Sequence, residues 1–264
     1  MDSGIQTSAL TESLIDFMME MNGHDDQRSF YFPDDRDETA ALVREGAVPY
    51  VLFDEMHELS ACAIADSVAD KQTVEVSGPF GSTEARLKLI HKIKEDFPGY
   101  DVLLFLSPKN ELCKHFTVLS EEYSMEISVP QKTDAAETTG KQETHKTAVY
   151  DAKTDSLALH DRLFPDAYAN AARLPEEYDI LVHRDDGMVT GYIAYEKEEG
   201  YIDFIAVVPE YRGKGIARTL IRAALSNMAG KTVRLTVSSS NSNAIALYEA
   251  LGFTLSHHMI ALKV

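Results

Sequence analysis

Two glycines one residue apart, Gly213 and Gly215 in "VVPEYRGKGIARTL" (207–220), separate an apolar strand-like run from an apolar-periodic segment. The junction constrains the fold because the hydrophobic period changes across it. Upstream, "PEEYDILVHRDD", "GMVTGYIAYE" and "GYIDFIAVVP" read as three strands, the first two joined by a turn at Asp185–Gly187. Downstream, Ile216, Ala217, Leu220, Ile221, Ala224, Leu225 and Met228 recur at three and four residues, as in a helix that buries one face, and Gly230 is placed to end it. A strand "KTVRLTVSS", a helix "SNAIALYEALGF" and a strand "HHMIALKV" follow. The order predicts an antiparallel meander and then a crossover connection through a helix.

The first half runs through a similar order. "PYVLFDEM", "LSACAIADSV" and "QTVEVSGPF" read as strands, "STEARLKLIHKIKEDF" as a helix and "YDVLLFLS" as a strand, followed by a helix "ELCKHFTVLSEEY" and a strand "SMEISV". The likeness is one of element order, not of residue identity, and a chance match of α/β elements is the competing reading. Residues 130–146 contain no Leu, Ile, Val, Met or aromatic side chain, which predicts a polar linker at 131–146 between domains 1–130 and 147–264. An exposed hairpin loop is the alternative. The expected fold class is α/β of the α+β kind, with two tandem domains, each a mixed and mostly antiparallel sheet flanked by helices.

Charge is distributed unevenly. Residues 1–146 hold 28 Asp and Glu against 13 Lys and Arg, a balance of −15, whereas residues 147–264 hold 15 against 12, a balance of −3. So negative a surface repels phosphate backbones, which argues against nucleic-acid binding. No apolar run reaches the length of a membrane span, and "MDSGIQTSALTESL" lacks the basic start and apolar stretch of a secretory signal. A cytoplasmic protein without membrane contact is expected, with Cys62 and Cys113 as reduced thiols.

The turn at 212–217 suits a phosphate group. A helix start leaves backbone N–H groups without partners, and glycine lets an anion approach them. Arg212, Lys214 and Arg218 add positive charge. A Walker-type loop fails because Gly213-Lys214 is followed by Gly215, and a dinucleotide fingerprint fails because Arg218 stands where its third glycine would be. The pattern Arg-x-x-Gly-x-Gly/Ala fits Arg212, Gly215 and Ala217. Here the segment resembles the GNAT superfamily of acyl-CoA-dependent N-acetyltransferases. Downstream, "NSNAIALYEALGF" is similar to that family's second CoA-contacting segment, with Asn243 and Tyr248 at matching positions. The resemblance covers residues 147–264 well and the first half only by element order, so the tandem domains are expected to be GNAT-like.

The resemblance implies acetyl-CoA as co-substrate and direct acetyl transfer to a primary amine in a ternary complex, with no metal and no covalent enzyme intermediate. It implies that Ile205 and Val207, on a strand splayed from its neighbour, meet the pantetheine arm through their main chain. Arg212, Gly213, Lys214, Gly215, Ile216, Ala217 and Arg218 would hold the pyrophosphate, chiefly by amides, although Ile216 and Ala217 side chains are expected in the core. Asn243 would cap its helix or bind the cofactor. Tyr248 would be the acid that meets the departing thiolate, and Asp203 the base, directly or through water. An ordinary carboxylate is a poor base near neutral pH, so Asp203 would need burial, a like-charged neighbour or a water relay. Adjacent His257 and His258 point to opposite faces of a strand and make no ligand pair. In the first half, "VEVSGPFGSTEARLKLI" offers Gly78 and Gly81 but no basic residue before Arg86, which predicts a degenerate domain that binds CoA poorly. The acceptor would be a small-molecule or peptide amine, taken up by a monomer or homodimer, with residues 155–178 beside its pocket. A catalytically silent CoA-binding sensor is the rival reading.

Overall fold

The computed structural model describes residues 4–33, 35–44, 46–69, 71–131, 146–165, 167 and 169–264. The linker expected at 131–146 lies, between 132 and 145, outside the described residues. The chain forms two compact units, Met1–Glu122 with His258–Val264, and Tyr123–His257.

The first unit begins with β1 (Ile5–Thr7), α1 (Glu12–Asn22), α2 (Arg36–Arg44), β2 (Val48–Phe53), β3 (Leu59–Val68), β4 (Thr73–Gly81), α3 (Thr83–Asp96) and β5 (Asp101–Leu106). The strands β1 to β4 form an antiparallel meander, and α3 carries the chain over to β5, which runs parallel to β4. Side chains alternate across β3. Ala61, Ala63 and Ala65 face Leu89, Ile90 and Ile93 of α3, while Cys62 and Ile64 face Leu14 and Met18 of α1. Both cysteines are free thiols.

The helix expected over residues 111–123 does not form. Asn110 accepts a hydrogen bond from the Leu112 amide at 3.1 Å and starts only a single 3-10 turn, Glu111–Lys114. The chain then enters β6 (Thr117–Ser128). Its β-branched start, Thr117-Val118, favours extended backbone over a helical turn.

The second unit takes β6 from Tyr123 onward and continues through β7 (Thr147–Val149), α4 (Ala158–Leu163), α5 (Leu174–Glu177), β8 (Asp179–Asp185), β9 (Met188–Glu196), β10 (Tyr201–Val207), α6 (Ile216–Asn227), β11 (Thr232–Ser238), α7 (Ser242–Glu249) and the start of β12 (Thr254–Lys263). Strand order in this unit is β6-β11-β10-β9-β8-β7. The strands β7 to β10 are antiparallel and β11 is parallel to β10, which is the expected meander and crossover. One face packs Ile193, Tyr195, Ile202 and Leu235 against Leu220, Ile221 and Ala224 of α6, and Met125 of β6 completes that core. The opposite face packs Tyr192, Ala194, Phe204 and Ala206 against Leu159 and Leu174 of α4 and α5.

The rest of β12 belongs to the first unit, where Ile260–Lys263 pair antiparallel with β5 and bring Ile260 and Leu262 into the core over α3. Among the described residues no helix is long and apolar enough to cross a membrane.

Candidate active site

The turn between β10 and α6 is built from backbone that only glycine adopts easily. After Val207 the chain makes one 3-10 turn, Pro209–Tyr211, and then Gly213 and Gly215 take φ of 76° and 80°. A Cβ on either glycine would meet nothing within 4 Å. Gly215 is the N-cap of α6, and no side chain caps the helix. The first amides of α6, which have no intrahelical acceptor, therefore stand at a helix start where the dipole favours an anion.

That helix start opens into a cavity of about 880 Å³, bounded by β10, the turn, α6 and α7. Ile205, Val207, Arg212, Gly213, Gly215, Ile216, Ala217, Arg218, Asn243 and Tyr248 all line it. The cavity runs along a gap in the sheet. The parallel pairing of β10 with β11 covers Tyr201 and Ile202, opposite Arg234 and Leu235, whereas the pairing with β9 continues to Val207. Past Ile202 the β11 side of β10 thus has main-chain groups outside the ladder, and an extended amide-bearing chain can add there as a strand would. The residues fit acetyl-CoA, the co-substrate of the family suggested by the sequence, with uncapped amides for its phosphates and an open strand edge for its pantetheine amides.

Individual side chains settle in ways the sequence does not foretell. Lys214 does not line the cavity; its Nζ lies 4.4 Å from the centroid of the Tyr211 ring. Arg212 Nε donates to the Val207 carbonyl at 3.2 Å, closing the end of β10. The cap of α7 is Asn241, whose Oδ1 accepts from the Ala244 amide at 3.2 Å, so Asn243 is left to the cavity wall. Tyr248 is buried beside Phe253, and burial pushes its phenol up to about 12. It is a protonated donor throughout the neutral range.

Asp203 is not on the cavity wall. Strict alternation would put it on one face with Ile205 and Val207, but the β9–β10 register slips between Ile202 and Phe204. Ile202 and Ile205 both pack toward α6, and Phe204 packs toward α4 and α5. The extra residue in such a bulge re-aims its side chain, and Asp203 turns toward the face of Phe204. Burial, with the Glu196 carboxyl second, lifts its pKa to about 7.

The corresponding turn of the first unit is closed from within. The Gly81 amide donates to Gln27 Oε1 at 3.1 Å, the Gly78 amide to Ser29 Oγ at 2.9 Å, and Ser82 caps α3. A Cβ at Gly81 would lie 2.2 Å from the Ser60 carbonyl oxygen, so backbone already occupies the space an anion would need. Arg86 is buried, hydrogen-bonded to Asn110 Oδ1 and Thr83 Oγ1 at 3.1 Å each.

Sequence reading did not single out Tyr211, Asn241 and Leu247, which also line the cavity, or Glu196; Leu163 and Phe164, on the same wall, belong to the segment 155–178 expected beside the acceptor pocket. For Glu196 the signal was available in principle, since it ends the strand antiparallel to the one bearing Asp203; the bulge that brings them together was not. Among the described residues no group of three or more His, Cys, Asp or Glu side chains could hold a metal.

The Acetyltransferase (GNAT) family matches residues 146–253. The chain is similar to the N-alpha-acetyltransferase RimI of Mycobacterium tuberculosis, 36% identical over 103 residues that cover 37% of this chain and 65% of that protein. Curated relatives are matched over 33% to 65% of their own lengths. A GCN5-related N-acetyltransferase from Sphaerobacter thermophilus shares the fold with a TM-score of 0.69 at 15% identity, over 100% of this chain and 96% of that one. A tandem GNAT protein from the clavulanic acid biosynthesis pathway gives 0.56 at 12% identity, over 98% and 97%. The fold expected from the sequence, mixed α/β with a mostly antiparallel sheet, is the one these structures share with it. Residues 146–253, with their glycine turn, split strand pair and second helix, are an acetyltransferase domain of the GNAT family.

Proposed function

We propose that this chain is an acetyl-CoA-dependent N-acetyltransferase whose chemistry lies in residues 147–264 and whose acceptor is a small-molecule or peptide amine. The observation that carries the reading is the uncapped start of α6 opening, with two unobstructed glycines, into a cavity that follows β10 beyond its pairing with β11 to Tyr248. The likeness to an N-alpha-acetyltransferase supports an amine acceptor. Residues 1–130 act as a degenerate GNAT-like domain, a role supported by the self-satisfied amides of Gly78 and Gly81.

Acetyl-CoA supplies the acetyl thioester. The α6 amides and the Arg212–Arg218 turn bind its pyrophosphate, and the main chain at Ile205 and Val207 orients the pantetheine arm. The amine attacks directly in a ternary complex after giving up a proton to Asp203 or to water held by it. Tyr248 donates a hydrogen bond to the sulfur as the C–S bond breaks. Its pKa of about 12 lies above that of a free thiol, about 8.5, so complete transfer would be uphill by about 5 kcal/mol. Tyr248 therefore stabilises the departing thiolate without surrendering its proton.

Native mass spectrometry of the chain titrated with acetyl-CoA tests the binding half, and CoA release with spermidine, L-methionine sulfone and a tetrapeptide with a free N-terminus tests the transfer. One acetyl-CoA per chain, abolished by Gly215→Glu, with CoA release from at least one amine, is the expected result. Binding without release from any amine would leave a CoA sensor. Absence of binding at hundreds of micromolar would overturn the reading.

A further inference from the structure

On the face of β10 that looks toward α4 and α5, two carboxyls are brought together by the bulge. Tyr201 pairs with Glu196 and Ile202 with Tyr195, and the slip that follows leaves Asp203 as the extra residue. Tyr195 packs toward α6, so Glu196, its neighbour on β9, faces the other way. That is the face to which the bulge turns Asp203, diagonally across the strand pair. The two side chains hydrogen-bond to each other, and Asp203 Oδ2 is shut off from solvent. Tyr178, at the end of α5, covers the group with its ring 5.9 Å from that of Phe204 and nearly perpendicular to it.

Two carboxyls in hydrogen-bond contact cannot both ionise at ordinary cost, so one proton stays on the pair until the pH rises to about 7, above which the pair is an acceptor. The titratable groups around the pair are Tyr178 from α5 and Tyr201 from β10, whose hydroxyl is tied to Thr236 Oγ1 at 2.7 Å. Burial, with Asp203, Glu196 and Tyr201 behind it, drives the Tyr178 phenol upward, so it stays neutral and supplies no compensating charge.

We infer that Asp203 and Glu196 work as one proton-sharing pair, in which Glu196 is the positioning residue that holds Asp203 as the acceptor of the amine's proton. The inference rests on the acetyl-transfer reading above. The proton leaves the attacking ammonium nitrogen for the fully ionised pair, which passes from no proton to one. The free amine then forms the C–N bond as the C–S bond breaks, the new amide nitrogen gives its remaining extra proton to the departing thiolate or to water, and the pair returns its proton to water after product leaves. Raising the acceptor carboxyl from about 4 to about 7 reduces the mismatch with an amine near 10.4 by about three orders of magnitude. Phe164, which lines the cavity, packs against Phe204 at a ring distance of 5.4 Å, so the pair, beside Phe204 and off the cavity wall, would take the amine's proton through a bridging water.

The test is a titration of the Asp203 side-chain carbon by ¹³C NMR on the full chain, without ligand, in wild type, Glu196→Gln and Glu196→Asp. Wild type is expected to titrate in two coupled steps, the upper one near neutrality. Glu196→Gln is expected to give one step, lower by about one pH unit, and Glu196→Asp to keep two. In parallel, the acid limb of kcat/KM for whichever of the three amines above releases CoA is expected to move down in Glu196→Gln by the same interval. An Asp203 that titrates near 4 and ignores Glu196→Gln overturns the pairing, whatever the transfer assay shows. A coupled titration with an unmoved acid limb overturns the role of the pair in catalysis and leaves acetyl transfer intact. Bound acetyl-CoA with no release from any amine overturns both.

Discussion

At Tyr248 and Asp203, burial acts on two acidic groups with opposite consequences for the reaction. It makes Tyr248 a donor that does not ionise, so Tyr248→Phe is expected to lower kcat by about 10²-fold while the KM for acetyl-CoA changes by less than about twofold. Steady-state kinetics on the variant and on wild type decide this. A parallel fall in affinity would make Tyr248 a packing residue. For Asp203 the sign of the stability effect follows from its raised pKa. A carboxyl whose folded value of about 7 exceeds its unfolded value of about 3.9 favours the fold below the lower value, and that stability is lost as pH rises through the higher one. Asp203→Asn removes the loss. It is expected to abolish transfer and yet raise Tm by about 2–4 °C at pH 8, with a gain about a third as large at pH 5. Thermal melts at the two pH values check it, and an equal effect at both would refute the assignment.

The placement of α6 on the sheet depends on another glycine. Gly191 of β9 lies opposite Val207, and a Cβ there would come within 2.9 Å of the Ala206 carbonyl oxygen and 3.1 Å of Ile216 Cγ2. Neither backbone nor the first buried residue of α6 can give way without moving the helix start. Gly191→Ala is therefore expected to weaken acetyl-CoA binding by more than tenfold, about 1.4 kcal/mol or more, measured by calorimetric titration. The same substitution at Gly213, whose Cβ site is open, meets only backbone strain. The elements themselves were largely legible. Periods of two and of three to four residues gave the meander, α3, α6 and α7, and the two glycines with their basic neighbours gave the turn. The bulge at Asp203 was not legible, because alternation cannot say which residue of a strand is the extra one. Nor was the cap of α7, since Asn241 and Asn243 are equally good capping residues and only the folded backbone chooses. The failed helix at 111–123 shows apolar spacing overruled by β-branched residues.

For the molecule as a whole, chain order and compactness disagree, and no local pattern encodes that. Met125 precedes the polar stretch yet lies, 1% exposed, in the core under α6, while Leu262, fully buried, lies in the core over α3. Truncating either should cost about 2–5 kcal/mol, and in opposite places. Met125→Ala is expected to strip hydrogen-exchange protection from α6, and Leu262→Ala from α3. Loss of protection in the half that chain order would suggest would contradict the division into units.

The pairing of β5 with the end of β12 has a consequence during synthesis. Residues 258–264 leave the ribosome after the whole of the second unit, about 7–30 s after residue 122 at ordinary elongation rates. Until then the nascent first unit has an open strand edge and no side chains where Ile260 and Leu262 will sit, the kind of edge on which chains aggregate. A protein of this topology cannot mature one domain after the other. Its first unit gains the last strand of its sheet only after the second has been synthesised.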